Sequence, residues 1–209
     1  AMYASKGRTR SASIEDGPVV EKGGNFFDLF VPSLRRRVLV FCLVWFSVNL
    51  IYYGVAFFST SYFIQILPSD EKQALIIVLF VCAGEVFGSL GAAALVNWGM
   101  KRKFISSIFL AVCCCFFFLM FSTENVYARA TFSLFARGSV FAAFAVVYLW
   151  TPSVLPTHIR TSGMGLVSSF GKIASICAPF ISSTFDKTNI LVPVIVFGST
   201  AFVGAVLCL

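Results

Sequence analysis

The segment YLWTPSVLPTHIRTSGMG, residues 148–165, joins two long apolar runs through two prolines, a polar turn and one arginine. Each flanking run approaches the ~20 residues an α-helix needs to cross ~30 Å of hydrocarbon. The segment therefore reads as a short loop at a membrane face. Composition agrees: 58% of the chain is hydrophobic and 12% charged, and 25 residues are phenylalanine. Soluble domains average about 25% charged residues, so the chain is expected to be an all-α membrane protein.

Working outward from the loop, six spans are expected, at about 38–59, 74–96, 104–121, 130–150, 163–183 and 191–209. Ahead of them, residues 1–25 are polar, carry charges of both signs and show no apolar period, which predicts a disordered tail or linker. Residues 26–37, FFDLFVPSLRRR, form a short amphipathic lead suited to the interface, with arginines at the headgroups. The chain begins Ala-Met without a signal-peptide pattern and stops at Leu209 while still apolar, so a piece of a longer protein is expected.

Eleven lysines and arginines fall on the tail side of these spans, and three (Lys72, Arg129, Lys187) on the other. By the positive-inside rule, the tail and the loops at 97–103 and 151–162 are expected in the cytoplasm. The net charge of +7 thus reports orientation rather than nucleic-acid binding, because the basic residues lie between apolar runs. The cysteines, Cys113 to Cys115 among them, sit inside apolar runs without a Cys-x-x-Cys pair and read as small hydrophobes. No nucleophile stands beside a base and no phosphate-binding glycine loop is present, so neither an enzyme nor a cofactor is expected.

Within the second span, Gly84, Gly88 and Ala92 recur every four residues, a small-residue face that lets another helix approach closely. Glu85, Arg137 and Lys172 fall roughly mid-span. Intramembrane charge costs about 2.5–3.5 kcal/mol on insertion scales and marks a bundle interior or a water-filled cavity. Two readings stay open: Glu85 pairs structurally with Arg137 or Lys172, or the three line a cavity. Trp45, Asn49, Tyr52 and Tyr53 could line the same cavity from the first span. Equally, Tyr52, Tyr53 and Trp150 could be interfacial belt residues, which is the preferred reading for Trp150, and His158 reads as a solvated loop side chain.

The opening segment, aromatic-x-x-Thr-Pro followed by Pro-Thr-x-x-Arg-x-x-Gly-x-Gly, resembles the loop between the tenth and eleventh helices of major facilitator superfamily carriers. More narrowly, it resembles the branch of organic-ion and synaptic-vesicle-related transporter-like proteins. Three further stretches resemble the same branch in order: WFSVNLIYYGVAF at 45–57, EVFGSLGAAALVNWGMKRK at 85–103 and GMGLVSSFGKIASICAPF at 163–180. The likeness covers about residues 29–209 and implies the C-terminal six-helix half of a carrier, helices seven to twelve, over residues 38–209.

That resemblance implies alternating-access transport of a small organic solute, with a lipid bilayer, an N-terminal six-helix half and a coupling ion such as H+ as partners. It also places Lys172 where organic-anion carriers are basic and organic-cation carriers acidic, so an anionic or zwitterionic substrate is expected. In the family, two acids join a cytoplasmic charge network with loop cations. Here those positions are Asn97 and Ser153, while Lys101, Arg102 and Arg160 keep the cations. The loss of both acids implies an altered conformational balance. It also lends weight to the other reading, a transport-inactive membrane receptor or regulatory protein.

Overall fold

In hydrocarbon every backbone polar group must be satisfied within the chain, and this chain meets that demand with helices. The computed structural model describes residues 29–67, 71–184 and 191–209. The expected tail and residues 26–28 of the lead lie outside the described residues. Among the described residues there are six α-helices and no strand. They are α1 (Pro32–Ile66), α2 (Glu71–Asn97), α3 (Arg102–Leu119), α4 (Val126–Val154), α5 (Arg160–Thr184) and α6 (Leu191–Leu207). Five of the expected spans are long and apolar enough to cross a membrane, whereas the apolar part of the sixth, Pro193–Leu207, is shorter.

The helix ends differ from the hydropathy boundaries for local reasons. Helix α1 starts at Pro32, inside the expected interfacial lead. A proline in the first turn lacks only an N–H that would go unbonded there anyway. Arg35, Arg36 and Arg37 continue the helix with exposed side chains. Its 35 residues reach about 52 Å at 1.5 Å per residue, well beyond the hydrocarbon layer. Helix α2 ends in a Schellman turn: the N–H of Met100 bonds the Leu95 carbonyl and that of Gly99 the Val96 carbonyl. Gly99 takes φ 82°, which a side chain would resist.

The loop expected at 151–162 is shorter than it reads. Helix α4 runs through Pro152 to Val154, and α5 begins at Arg160 after one 3-10 turn, Thr157–Ile159. Leu155 and Ile159 are buried and plug this turn into the bundle.

Helix α1 is the hub, packing on α5, α6, α4 and α2, while α2 packs chiefly on α4 and α3 on α4 and α6. In its most apolar stretch 67% of α1 is buried, against 22% for α2 and for α5, so α2 and α5 are the flanks. At one end Phe58 and Tyr62 of α1 meet Phe117 of α3, Phe121 and Phe197 of α6 in an aromatic cluster. Arg129 closes that end, donating to the Tyr62 hydroxyl and to the Thr123 carbonyl.

Candidate functional site

The small-residue face of α2 finds its partner in α4. A Cβ on Gly84 would lie 2.4 Å from the Leu134 carbonyl oxygen, and one on Gly88 only 2.0 Å from that of Gly138. Ala92, one turn further, is buried with Ala142 and Val146 of α4. This backbone contact brings the neighbours of two of those glycines together: Arg137 Nε donates to Glu85 Oε1 at 2.8 Å. The side chains are 12% and 23% exposed respectively. Of the two readings for the intramembrane charges, Glu85 therefore pairs with Arg137 and not with Lys172.

Tyr52 of α1 joins this pair, its hydroxyl donating to Glu85 Oε1 at 3.3 Å. Its ring stacks on Phe144 with centroids 5.2 Å apart and meets Tyr53 edge-on at 5.1 Å. Both tyrosines remain half-buried. Trp45 and Asn49, expected beside them, are 1% and 2% exposed and spend their polar groups inside the bundle. The Trp45 indole N–H donates to Thr151 Oγ1 at 2.9 Å, and Tyr148 packs edge-on against its ring at 4.4 Å. Asn49 Nδ2 donates to the Trp45 carbonyl at 2.8 Å, and its Oδ1 accepts from Ser175 Oγ at 3.4 Å. Gly171 makes this possible, since its Cβ would fall 2.5 Å from Asn49 Nδ2.

Helix α5 carries Lys172, which is exposed and has no ionic partner among the described residues. At about 100° per residue, Thr161, Gly165, Ser168, Ser169 and Ser175 all lie within about 60° of it around the helix, interrupted by the exposed Ile176. Gly163, Val167, Gly171, Ala174 and Ala178 occupy the opposite, buried side. Phe170, Ile173 and Cys177 form a third, exposed apolar strip. The polar strip lies mid-helix, where contact with acyl chains would be costly. It therefore suits water or protein, while the apolar strip suits lipid. Glu85 and Arg137 offset each other, and among the described residues Lys172 is left without a countercharge.

At the end of the bundle where α1 and α3 begin, Arg102 Nη1 donates to the Leu149 carbonyl at 2.9 Å, which ties α3 to the last turns of α4. Ser153 stands one turn beyond Leu149, exposed, with its hydroxyl on the Trp150 carbonyl. Asn97, Lys101 and Arg160 are exposed, as is His158. Trp150, partly exposed, packs edge-on against Phe41 at 4.8 Å. Sequence reasoning passed over Thr151 and Ser175, and counted Arg129 only as a loop charge. Thr151 lay inside the quoted Thr-Pro motif, but only the fold reveals an indole 106 residues earlier as its partner.

No family model matches the chain. It is 23% identical over 202 residues to the putative transporter svop-1 of Caenorhabditis elegans, covering 89% of the chain and 39% of that protein. It is 27% identical over 196 residues to solute carrier family 22 member 6-A of Xenopus laevis, covering 93% and 34%. Its homologues are organic-ion and vesicle-related transporters of the major facilitator superfamily. Organic cation/carnitine transporter 7 of Arabidopsis thaliana is another, 29% identical over 171 residues, 78% of the chain and 34% of that protein. The chain spans about two-fifths or less of the length of these three superfamily relatives. Together with the five long apolar helices, these likenesses make it an all-helical, multi-pass integral membrane protein.

Proposed function

We propose that this chain forms the C-terminal half of an alternating-access carrier for a small anionic or zwitterionic organic solute. The observation that carries the reading is charge balance: Arg137 neutralises Glu85, whereas Lys172 stands exposed on a polar strip with no ionic partner among the described residues. The names of the relatives include both solute carrier family 22 proteins and an organic cation/carnitine transporter, so substrate charge rests on the side chains. An ammonium at that depth attracts carboxylates or sulfates and repels cations.

In this reading the polar strip of α5, with Tyr52 and Tyr53, forms one wall of the solute cavity. The Glu85–Arg137 pair holds Tyr52 in place, and Trp45 and Asn49 act from behind as positioning residues. A second, N-terminal six-helix half supplies the opposite wall, as the polar strip requires, and rocking of the halves alternates access. Asn97, Lys101, Arg102, Ser153 and Arg160 belong to cytoplasmic loops that open and close. H+ or another ion is the coupled partner.

The test is uptake of labelled organic anions and cations by the full-length protein in proteoliposomes. Anion uptake abolished by Lys172→Ala is the expected result. Cation uptake unaffected by that substitution would overturn the reading. Absence of all uptake would favour a transporter-like receptor.

A further inference from the structure

A groove runs along the outer seam of α1 and α5, away from the polar strip. At the tail-side end it is a hollow of about 180 Å³ that Arg35 borders together with Val38, Leu39 and Leu166. It continues into a second hollow of about 520 Å³ walled by Leu39, Leu43, Phe46, Phe170 and Ile173. Leu39, Cys42 and Phe170 belong to both, so the two are continuous. On α5 the groove residues lie roughly 100–160° around the helix from Lys172.

Three observations define what fits. The lining is apolar apart from one end, where the Arg35 guanidinium is exposed with no side-chain hydrogen bond or ion pair among the described residues. From Arg35 to Phe46 is eleven residues, about 16 Å along the helix, or half of the ~30 Å hydrocarbon layer. Leu39, Leu43, Phe170 and Ile173 stand exposed along that seam, a surface that suits acyl chains. We propose that the groove is a binding site for one anionic glycerophospholipid of the tail-side leaflet. Its phosphate meets Arg35, and one acyl chain lies between Leu43 and Ile173. Arg36 and Arg37 border a different hollow, with Trp150 and Val154, and do not share this site.

The experiment uses the protein in nanodiscs of mixed phosphatidylglycerol and phosphatidylcholine, each lipid in turn carrying a diazirine at mid-chain. Photo-adducts are mapped to peptides. Phosphatidylglycerol adducts should concentrate on residues 39–46 and 170–173 and exceed those of phosphatidylcholine there. Arg35→Gln should cut that preference about fivefold, the factor one basic side chain near a membrane surface contributes. Arg35→Lys and Arg36→Gln should keep it. Ile173→Trp should fill the groove and lower adducts of both lipids there.

Adducts spread evenly over the groove and the exposed α2 positions Leu75, Leu79 and Phe87 would overturn the proposal, leaving only annular lipid. So would a preference that survives Arg35→Gln. Absence of adducts in the groove would show that protein covers it and overturn the proposal equally.

Discussion

Substituting Gly88 by alanine tests the link between the fold and the intramembrane ion pair. The new Cβ would stand 2.0 Å from the Gly138 carbonyl oxygen, where real Cβ atoms keep at least 3.0 Å, so α2 must retreat from α4 by about 1 Å. The obstacle is backbone, which no rotamer change relieves. The same retreat, added to the 2.8 Å Arg137–Glu85 contact, takes it to about 3.8 Å, outside hydrogen-bonding range. Overpacking of this kind costs about 1–3 kcal/mol, and the better helix propensity of alanine returns about 0.5–1 kcal/mol. The net loss of about 0–2.5 kcal/mol lowers the melting temperature by up to about 10 °C at ~2–4 °C per kcal/mol. Gly91→Ala is the control, because its Cβ would meet only Phe109, at an ordinary 3.8 Å. That variant should melt at or above the parent. Thermal melting in detergent, reported by a fluorophore that labels the buried Cys42, Cys113 and Cys208 as they emerge, measures both. Gly88→Ala melting as high as Gly91→Ala would refute backbone contact between α2 and α4.

Arg137→Gln and Glu85→Gln should each destabilise by about 1–3 kcal/mol, below the range for fully buried pairs because these side chains keep some exposure. The double variant should fall short of their sum by about 1 kcal/mol in melting experiments, and simple additivity would show an uncoupled pair. Gly171→Ala, with its Cβ 2.5 Å from Asn49 Nδ2, should cost about 1–3 kcal/mol and depress uptake with Lys172 intact. Gly165→Ala, open on all sides, should leave stability unchanged. Asn97→Asp with Ser153→Glu restores acids near the tail-side cations, and Ser153 is one turn past the carbonyl that holds Arg102. An added surface pair of up to about 1 kcal/mol shifts conformational balance up to about fivefold in state-dependent thiol labelling. An unchanged labelling ratio would count against the latch.

Much of the architecture was legible because membrane helices obey simple constraints. Long apolar runs must be helical, and glycines every four residues must meet a close neighbour. Gly84 and Gly88 met α4. Helix ends were less legible, since hydropathy registers lipid contact and not helicity. Arg35 to Arg37 are as helical as Val38, but they sit outside the apolar layer. The pairing of Glu85 depended on α2 packing against α4 rather than α5, a tertiary choice that no local pattern encodes. Trp45 and Asn49 were expected to line a cavity because polar groups in a span suggest one. The structure instead spends those groups on Thr151, Ser175 and a backbone carbonyl, the other way a bundle accommodates polarity.

The three faces of α5 restrict how that helix can move. A roll of one residue position, about 100°, would turn Lys172 toward the sector now held by Ile173 and swing the glycine and alanine side off α1. Exposing the ammonium to acyl chains alone costs about 2.5–3.5 kcal/mol, before any lost packing. Tilting or sliding along its axis keeps each face in its own medium. Helix α5 is thus geared like a keyed shaft, able to rock with the bundle but not to spin within it.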